Sequence, residues 1–163
     1  MLDLENCTNN ISDTHFLIQD DIENQPAYIK YDQGQFEVKN NTKKDIGFLQ
    51  IDDCIYTSKD KSRCDCAVYD DKVFCFIELK TCKILSQKAN RKKADAQLRF
   101  TIEQFRSDGI IHDQTLEAYA CLTCNYDGKF TKITNARNQN TIVEFEDELN
   151  TRLYYECKKE FNK

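Results

Sequence analysis

One proline, four glycines, two histidines and no tryptophan are spread over 163 residues, and each scarcity removes a class of explanation. With so few glycines there is no Gly-rich loop to cradle phosphates. His15 and His112 stand far apart in unremarkable contexts. That disfavours His-centred nucleases and Cys–His catalysis, and each reads as a surface or structural histidine. No apolar run approaches the about 18 residues that a membrane-spanning helix needs. No Pro/Gly/Ser-rich linker, repeat or low-complexity tract divides the chain. The opening MLDLENCTNN is acidic and lacks the basic-then-apolar layout of a signal peptide, so a cytoplasmic protein is expected. Lys and Arg are absent from the first 29 positions, and the net charge is −5.

What is present fits one domain over residues 1–163, long enough for a single core and too short for two ordinary ones. Hydrophobic content is 40%, with 10 Phe and 8 Tyr. Nine cysteines raise the question of a disulfide framework. The odd count and the missing secretion signal argue against one. Two close pairs, Cys64/Cys66 and Cys121/Cys124, could be imagined around zinc. Zinc pairs normally sit on knuckle turns with Gly, Pro or polar neighbours. Here Cys64 and Cys66 would lie on the back face of a strand. Cys121 and Cys124 fall inside an apolar strand-like run, where a spacing of three sends side chains to opposite faces. Buried free thiols acting as small hydrophobes are the expectation.

The coarse layout predicts a helix over 14–31, interrupted by Pro26, and a short strand at Gln35–Val38. A polar loop at Asn40–Lys44 leads into a strand over Ile46–Tyr56 that carries Asp52-Asp53, and Ser58–Ser62 is a charged turn. After the hairpin described next come a helix over 86–106, a strand at Leu116–Tyr126 and a turn at Asp127-Gly128. A short strand near Lys129–Ile133 and a polar loop at Asn135–Asn140 follow; 141–161 is open between helix and strand.

The most informative stretch is RCDCAVYDDKVFCFIELK, Arg63 to Lys80. Two alternating runs flank Asp70-Asp71, a polar pair of the kind that closes a tight hairpin. With those two residues as the loop, Tyr69 faces Lys72, Ala67 faces Phe74, Asp65 faces Phe76 and Arg63 faces Glu78. Side chains alternate along a strand, so Arg63, Asp65, Phe76, Glu78 and Lys80 share one face. Asp65 and Glu78 become diagonal neighbours, roughly 7–8 Å apart at the backbone. They would stand at the solvent end of the sheet. Val73 to Ile77 is strongly apolar and reads as a central strand. Charges ending such a strand are costly unless they are paired or ligate something. Two converging carboxylates can hold a divalent metal, and the adjacent lysine can orient or activate a water. Asp52-Asp53 could bring one more carboxylate near. The bland alternative is a solvated acidic face, and Glu-x-Lys alone is a common tripeptide.

Between Leu79 and Arg99 the charged residues are Lys80, Lys83, Lys88, Arg91, Lys92, Lys93 and Arg99 against Asp95 alone. A local basic patch of this kind suits a polyanion backbone whatever the global charge. On the predicted helix Ala94, Leu98, Ile102 and Phe105 form the buried stripe, Ser86 is the N-cap and Asp108-Gly109 the stop. Asn90, Lys93, Gln97 and Thr101 flank the stripe and can face the sheet end that carries Glu78 and Lys80. A glutamine at 97 could hold a water or a phosphate oxygen.

Asp65, the hairpin, Glu78-Leu79-Lys80 and the following helix with Gln97 resemble the PD-(D/E)xK nuclease superfamily, the restriction-endonuclease-like fold, over about residues 45–125. The resemblance implies an α/β domain with a core of helix, three-strand meander, helix and strand, its mixed central β-sheet flanked by helices. It also implies a Mg²⁺- or Mn²⁺-dependent site with Asp65 and Glu78 as metal ligands, Lys80 assisting the attacking water and Gln97 supporting it. Cys64, not proline, precedes Asp65, and the frequent first-helix glutamate has only Glu23 and Glu37 as counterparts. The expected function is metal-dependent hydrolysis of phosphodiester bonds, most readily in DNA, in restriction, repair or phage defence. Lys88, Arg91, Lys92 and Lys93 would contact phosphates. A catalytically inactive module of the same fold, binding nucleic acid or a protein partner, is the alternative, and a cysteine-based zinc module is a third. Homodimerisation is compatible with all of them.

Overall fold

In a computed structural model, which describes residues 2–57, 62–133 and 137–163, the buried apolar side chains sort into two cores on opposite faces of one sheet. The elements run β1 (Thr8–Ile11), β2 (His15–Gln19), β3 (Tyr28–Lys30), β4 (Phe36–Asn40), β5 (Ile46–Gln50), β6 (Cys66–Tyr69) and β7 (Val73–Thr81). A 3₁₀ turn at Ile84–Ser86 leads into α1 (Gln87–Ser107), then β8 (Thr115–Tyr126), β9 (Lys129–Lys132), α2 (Gln139–Leu149), β10 (Thr151–Tyr154) and β11 (Lys158–Phe161). The large sheet has the order β1-β5-β6-β7-β8-β10, with β9 also paired to β8. β5, β6 and β7 form an antiparallel meander. β8 runs parallel to β7 and β10 parallel to β8, so the sheet is mixed. A parallel neighbour requires a crossover, and α1 supplies the one from β7 to β8.

β7 is apolar throughout because both of its faces are covered. Phe74 and Phe76 point to the core shared with Leu98, Ile102 and Phe105 of α1 and with Phe145 and Leu149 of α2. Cys75, Ile77 and Leu79 point to the core shared with Phe16, Ile18, Phe36, Val38 and Phe161. Phe76 and Phe105 meet edge-on with ring centroids 5.2 Å apart. Burying each such side chain stabilises the fold by about 1.5–3 kcal/mol. Gly47 is required where β5 passes under Tyr69, since a Cβ there would fall 2.4 Å from the ring. Among the described residues no helix is long and apolar enough to cross a membrane.

Several expectations are corrected. The segment 14–31 is not helical: β2 and β3 belong to a second, four-stranded sheet of order β11-β4-β2-β3. Phe16 and Ile18 are buried at a period of two with Leu17 only half-buried between them, and β2 pairs Phe16 with Val38. That sheet covers one face of the large sheet, so helices flank only the other. No helix precedes the meander among the described residues. β5 stops at Gln50, well short of Tyr56, because Asp53 takes a left-handed conformation (φ 58°) in a turn bridged by Asp52 and Tyr56. The hairpin pairs Tyr69 with Phe74 and Ala67 with Phe76, which is two residues from the expected register. The Asp70 side chain accepts from Lys72 N and Val73 N, and the loop between the strands is the three residues Asp70, Asp71 and Lys72.

The cysteine reading is corrected in part. Cys7 is disulfide-bonded to Cys54 and Cys121 to Cys157, while Cys64, Cys66, Cys75, Cys82 and Cys124 are free and buried as expected. Cys66 lies toward the second sheet, but Cys64 packs on the α1 side. The segment 141–161 is both helix and strand: Asn150 in the left-handed region ends α2 and releases β10. The helix 86–106, its buried stripe and its stop at Gly109 (φ 66°) agree with expectation. So do β4, β8 and the Asp127-Gly128 turn, both of whose φ angles are positive. The Ser58–Ser62 turn and the start of the Asn135–Asn140 loop lie largely outside the described residues.

Candidate active site

The two-residue shift of register keeps parity, so Glu78 and Lys80 remain on the face that carries Phe76 and α1. Regular pairing of the hairpin ends at Cys66 with Ile77, and Asp65 stands in the bend just before β6. The two acids are close enough for the Glu78 charge to act on Asp65. The backbone N–H of Leu79 donates to Asp65 Oδ2 at 2.6 Å. Lys80 Nζ stands 2.6 Å from Glu78 Oε1. Contrary to expectation, neither acid is at a solvent-exposed end: Glu78 is 0% and Asp65 6% exposed.

Glu78 is the unusual group. Both of its oxygens are buried, and the contact it makes is with the Lys80 ammonium. A carboxylate in the interior with a single cationic neighbour is expensive. Burial pushes its pKa up to about 7, against the opposing charge of Lys80 and with added repulsion from Asp20 and Asp52. Burial raises Asp65 well above the carboxylate range, and the charges of Glu78 and Asp20 raise it further. Asp20 is raised by burial and eased by its hydrogen bond to Asp65. The interaction between the two carboxyls therefore pushes Asp65 up and eases Asp20. For Lys80, burial alone would lower the ammonium, but the Glu78 charge and contact outweigh it and hold the group above its ordinary value.

Asp20 is the acid that sequence reasoning missed. It follows β2, and its backbone N–H donates to Gln35 Oε1 at 2.8 Å. Gln35 Nε2 donates in turn to Thr81 Oγ1 at 3.0 Å. One buried glutamine thereby ties the turn after β2 to the end of β7. The adjacent Asp20-Asp21 at the close of an alternating run was the available signal, and a helical reading of 14–31 hid it. Asp52 is brought in as foreseen, close enough for its charge to act on Glu78. Glu23 and Glu37 are not: Glu23 lies in an exposed turn, and Glu37 pairs with His15 Nε2 at 2.9 Å on β4.

Gln97 reaches the site's support. Its Nε2 donates to the carbonyl of Arg63 at 2.8 Å, and one turn on, Thr101 Oγ1 accepts from Cys64 N at 2.9 Å. α1 thus clamps the backbone just before Asp65. The Arg63 guanidinium lies 4.0 Å over the Tyr56 ring. Of the basic set, Lys88, Lys92 and Lys93 are exposed and Arg91 is half-buried. Lys88 and Lys92 share a face at i, i+4, and Lys93 stands one turn before Gln97. Arg91 is directed elsewhere, its charge acting on Asp95 and Tyr155.

Among the described residues no three carboxyl, imidazole or thiol groups converge closely enough to hold a metal ion as they stand. The chemistry of the donors nevertheless fits a hard dication: oxygen ligands, a wholly buried carboxylate, and a second and third acid whose charges act at the same place. Asp65 and Glu78 would hold Mg²⁺ or Mn²⁺, with Asp20 completing the set. No protein-family model, no curated protein and no solved structure matches this chain.

A stability prediction follows. Asp20, Asp52, Asp65, Glu78 and Asp95 all sit above their ordinary values, in each case with burial as the leading cause. The folded state therefore binds more protons than the unfolded state between the ordinary carboxylate pKa and about 7, the value of Glu78, so stability falls as pH rises through that window. Glu117, where hydrogen bonds from Lys159 and Tyr119 outweigh burial and hold it low, works the other way only at more acid pH. In EDTA, Tm should be higher at about pH 5.5 than at about pH 8, and Mg²⁺ should raise it more at the higher pH. A flat Tm profile in EDTA would contradict the packing of these acids.

Proposed function

We propose that this chain is a divalent-metal-dependent nuclease of the PD-(D/E)xK type, hydrolysing phosphodiester bonds in nucleic acid, with DNA as the first choice. The observation that carries the reading is Glu78: a wholly buried carboxylate, 2.6 Å from the Lys80 ammonium and close enough to Asp65 for its charge to act there. The run of antiparallel meander, crossover helix and parallel strand supports the same fold family. A bound Mg²⁺ or Mn²⁺ would lower the pKa of a water and stabilise charge on the phosphate. Lys80, kept protonated by Glu78, orients that water and donates toward the phosphate oxygens. Gln97 holds the Arg63 carbonyl and so fixes Asp65.

The test is cleavage of a panel of duplex, branched and single-stranded DNA and RNA with Mg²⁺ or Mn²⁺, against EDTA. Metal-dependent cleavage of any member supports the reading; binding without cleavage across the panel favours the second one. That second reading, a non-catalytic module of the same fold, is favoured by the lack of a converged three-ligand set among the described residues.

The basic residues before Gln97 carry their own expectation. Phosphate contacts position a backbone without reading sequence. Changing Lys88, Arg91, Lys92 and Lys93 together to Ala should weaken binding uniformly across sequences. The slope of log K against log salt should flatten by up to about 0.9 per lost contact on duplex DNA. Because Arg91 faces Asp95 and Tyr155, the Lys88/Lys92/Lys93 triple variant should account for most of the change. An unchanged slope would make the run a solvated face.

A further inference from the structure

The outer edge of β8 has two partners with a gap between them. β10 ends with Tyr154 beside Tyr119, and β9 ends with Lys132 beside Thr123, with Ile133 N donating to Leu122 O just beyond it. The gap therefore falls at Ala120-Cys121. On the inner edge of β8, Glu78 is paired with Ala120 and Lys80 with Leu122. The gap is at the height of the buried acids and one strand away, about 10 Å across at the usual strand spacing. A cleft of about 580 Å³ lies there, lined among others by Lys132, Arg137, Ile142, Tyr154, Tyr155 and Lys158. Leu153, Tyr155 and Ile142 pack on the α1 side of the sheet, the side that carries Glu78.

The cleft's chemistry is cationic and aromatic. Glu156 is its only acid. Lys158 is partly neutralised by Glu160 at 2.8 Å, whereas Lys132 and Arg137 have no carboxylate within ion-pairing distance among the described residues. The two rings are fixed: Tyr154 stacks on Tyr119 at 5.1 Å and 21°, and the Tyr155 hydroxyl donates to Asp95 Oδ1 at 2.9 Å. Arg91 of α1 acts on that same Asp95–Tyr155 pair, which brings its charge near one wall of the cleft. Fixed aromatic faces beside unpaired cations are what a nucleic-acid strand uses, stacking bases and neutralising phosphates.

We infer that this cleft is a nucleotide subsite, holding a nucleotide that flanks the scissile phosphate, with Lys132 and Arg137 on its phosphate and a tyrosine ring against its base. The inference rests on the nuclease reading and extends it to the substrate path. Because an unstacked base is needed to fill such a cleft, single-stranded or branched substrates are preferred over continuous duplex.

The test uses the full chain with Glu78→Gln to prevent cleavage, Ca²⁺ in place of Mg²⁺, and a fluorescein-labelled 12-nucleotide single strand, its duplex, and a branched junction as probes. Lys132→Ala/Arg137→Ala, two exposed positions, should weaken single-strand binding several-fold and reduce its salt slope by about 0.7 per lost contact. Ile142→Trp, which fills the cleft without changing charge, should weaken the same probe while leaving the salt slope unchanged. If the strand binds and the α1 lysine variant weakens it, but neither cleft change does, the subsite is overturned and the nuclease reading stands. A preference for continuous duplex overturns it too. If no probe binds the parent protein, both fall together. Matching melting temperatures and circular dichroism of the cleft variants exclude misfolding as the cause.

Discussion

Glu78→Ala and Asp65→Ala will each abolish metal-dependent cleavage, the largest effect expected anywhere in this chain. Each removes one of the two buried carboxylates at the end of the β6–β7 hairpin, and with it part of the charge that would hold the ion. The stability consequences should be opposite. Glu78 contacts Lys80, yet its ionisation in the folded state is on balance opposed by burial, with a pKa of about 7. Its replacement by Ala or Gln should therefore stabilise the metal-free chain at about pH 8, by on the order of 3 kcal/mol at most, less any cavity cost for Ala. Asp65 accepts from Leu79 N at 2.6 Å, so Asp65→Ala leaves a buried donor unpaired and should cost about 1–3 kcal/mol. Asp65→Asn can keep that bond and separates folding from activity. Asp20→Asn should weaken metal affinity with a smaller loss of turnover. Either alanine variant cleaving at the wild-type rate would sink the assignment, and a destabilised Glu78→Gln would contradict the account of the buried acid.

The hairpin was legible because its signals are local. A two-residue alternation ending in Glu-x-Lys places Glu78 and Lys80 on one face, and an even shift of register leaves that placement unchanged. Parity survived, while the pairing itself did not, because Asp70 turned its side chain back onto Lys72 N and Val73 N and widened the loop. The α1 stripe was legible for the same reason, its spacing being 3.6. Asp20 was not. Its role depends on Gln35 bridging to Thr81, a contact between segments far apart in sequence and in two different sheets. The burial of Glu78 was hidden likewise, since it takes the second sheet, α1 and β8 together to exclude water. The disulfide between Cys7 and Cys54 spans 47 residues, and no spacing rule would have paired them. Gln97 was found by its position on the wheel, but what it grips is the Arg63 backbone.

Lys80→Ala should reduce turnover by a factor on the order of 10²–10⁴, the range for a group that orients or transfers a proton. Metal affinity should not fall with it, because a cation 2.6 Å from Glu78 competes with the ion for the same carboxylate. Removing Lys80 also removes the one charge that holds the Glu78 pKa down. With burial unopposed, Glu78 will be more fully protonated in the metal-free variant. Metal binding must then displace more of a proton, so affinity should rise more steeply with pH between about 6 and 8 than in the parent chain. Lys80→Arg keeps the charge and should restore the shallower dependence while recovering only part of the turnover, since a planar fork does not reproduce the ammonium's reach. Calorimetric titration of Mn²⁺ at several pH values, with single-turnover cleavage on the same proteins, separates these effects. A Lys80→Ala protein that loses its metal at every pH would assign the lysine to holding the site together and not to the water.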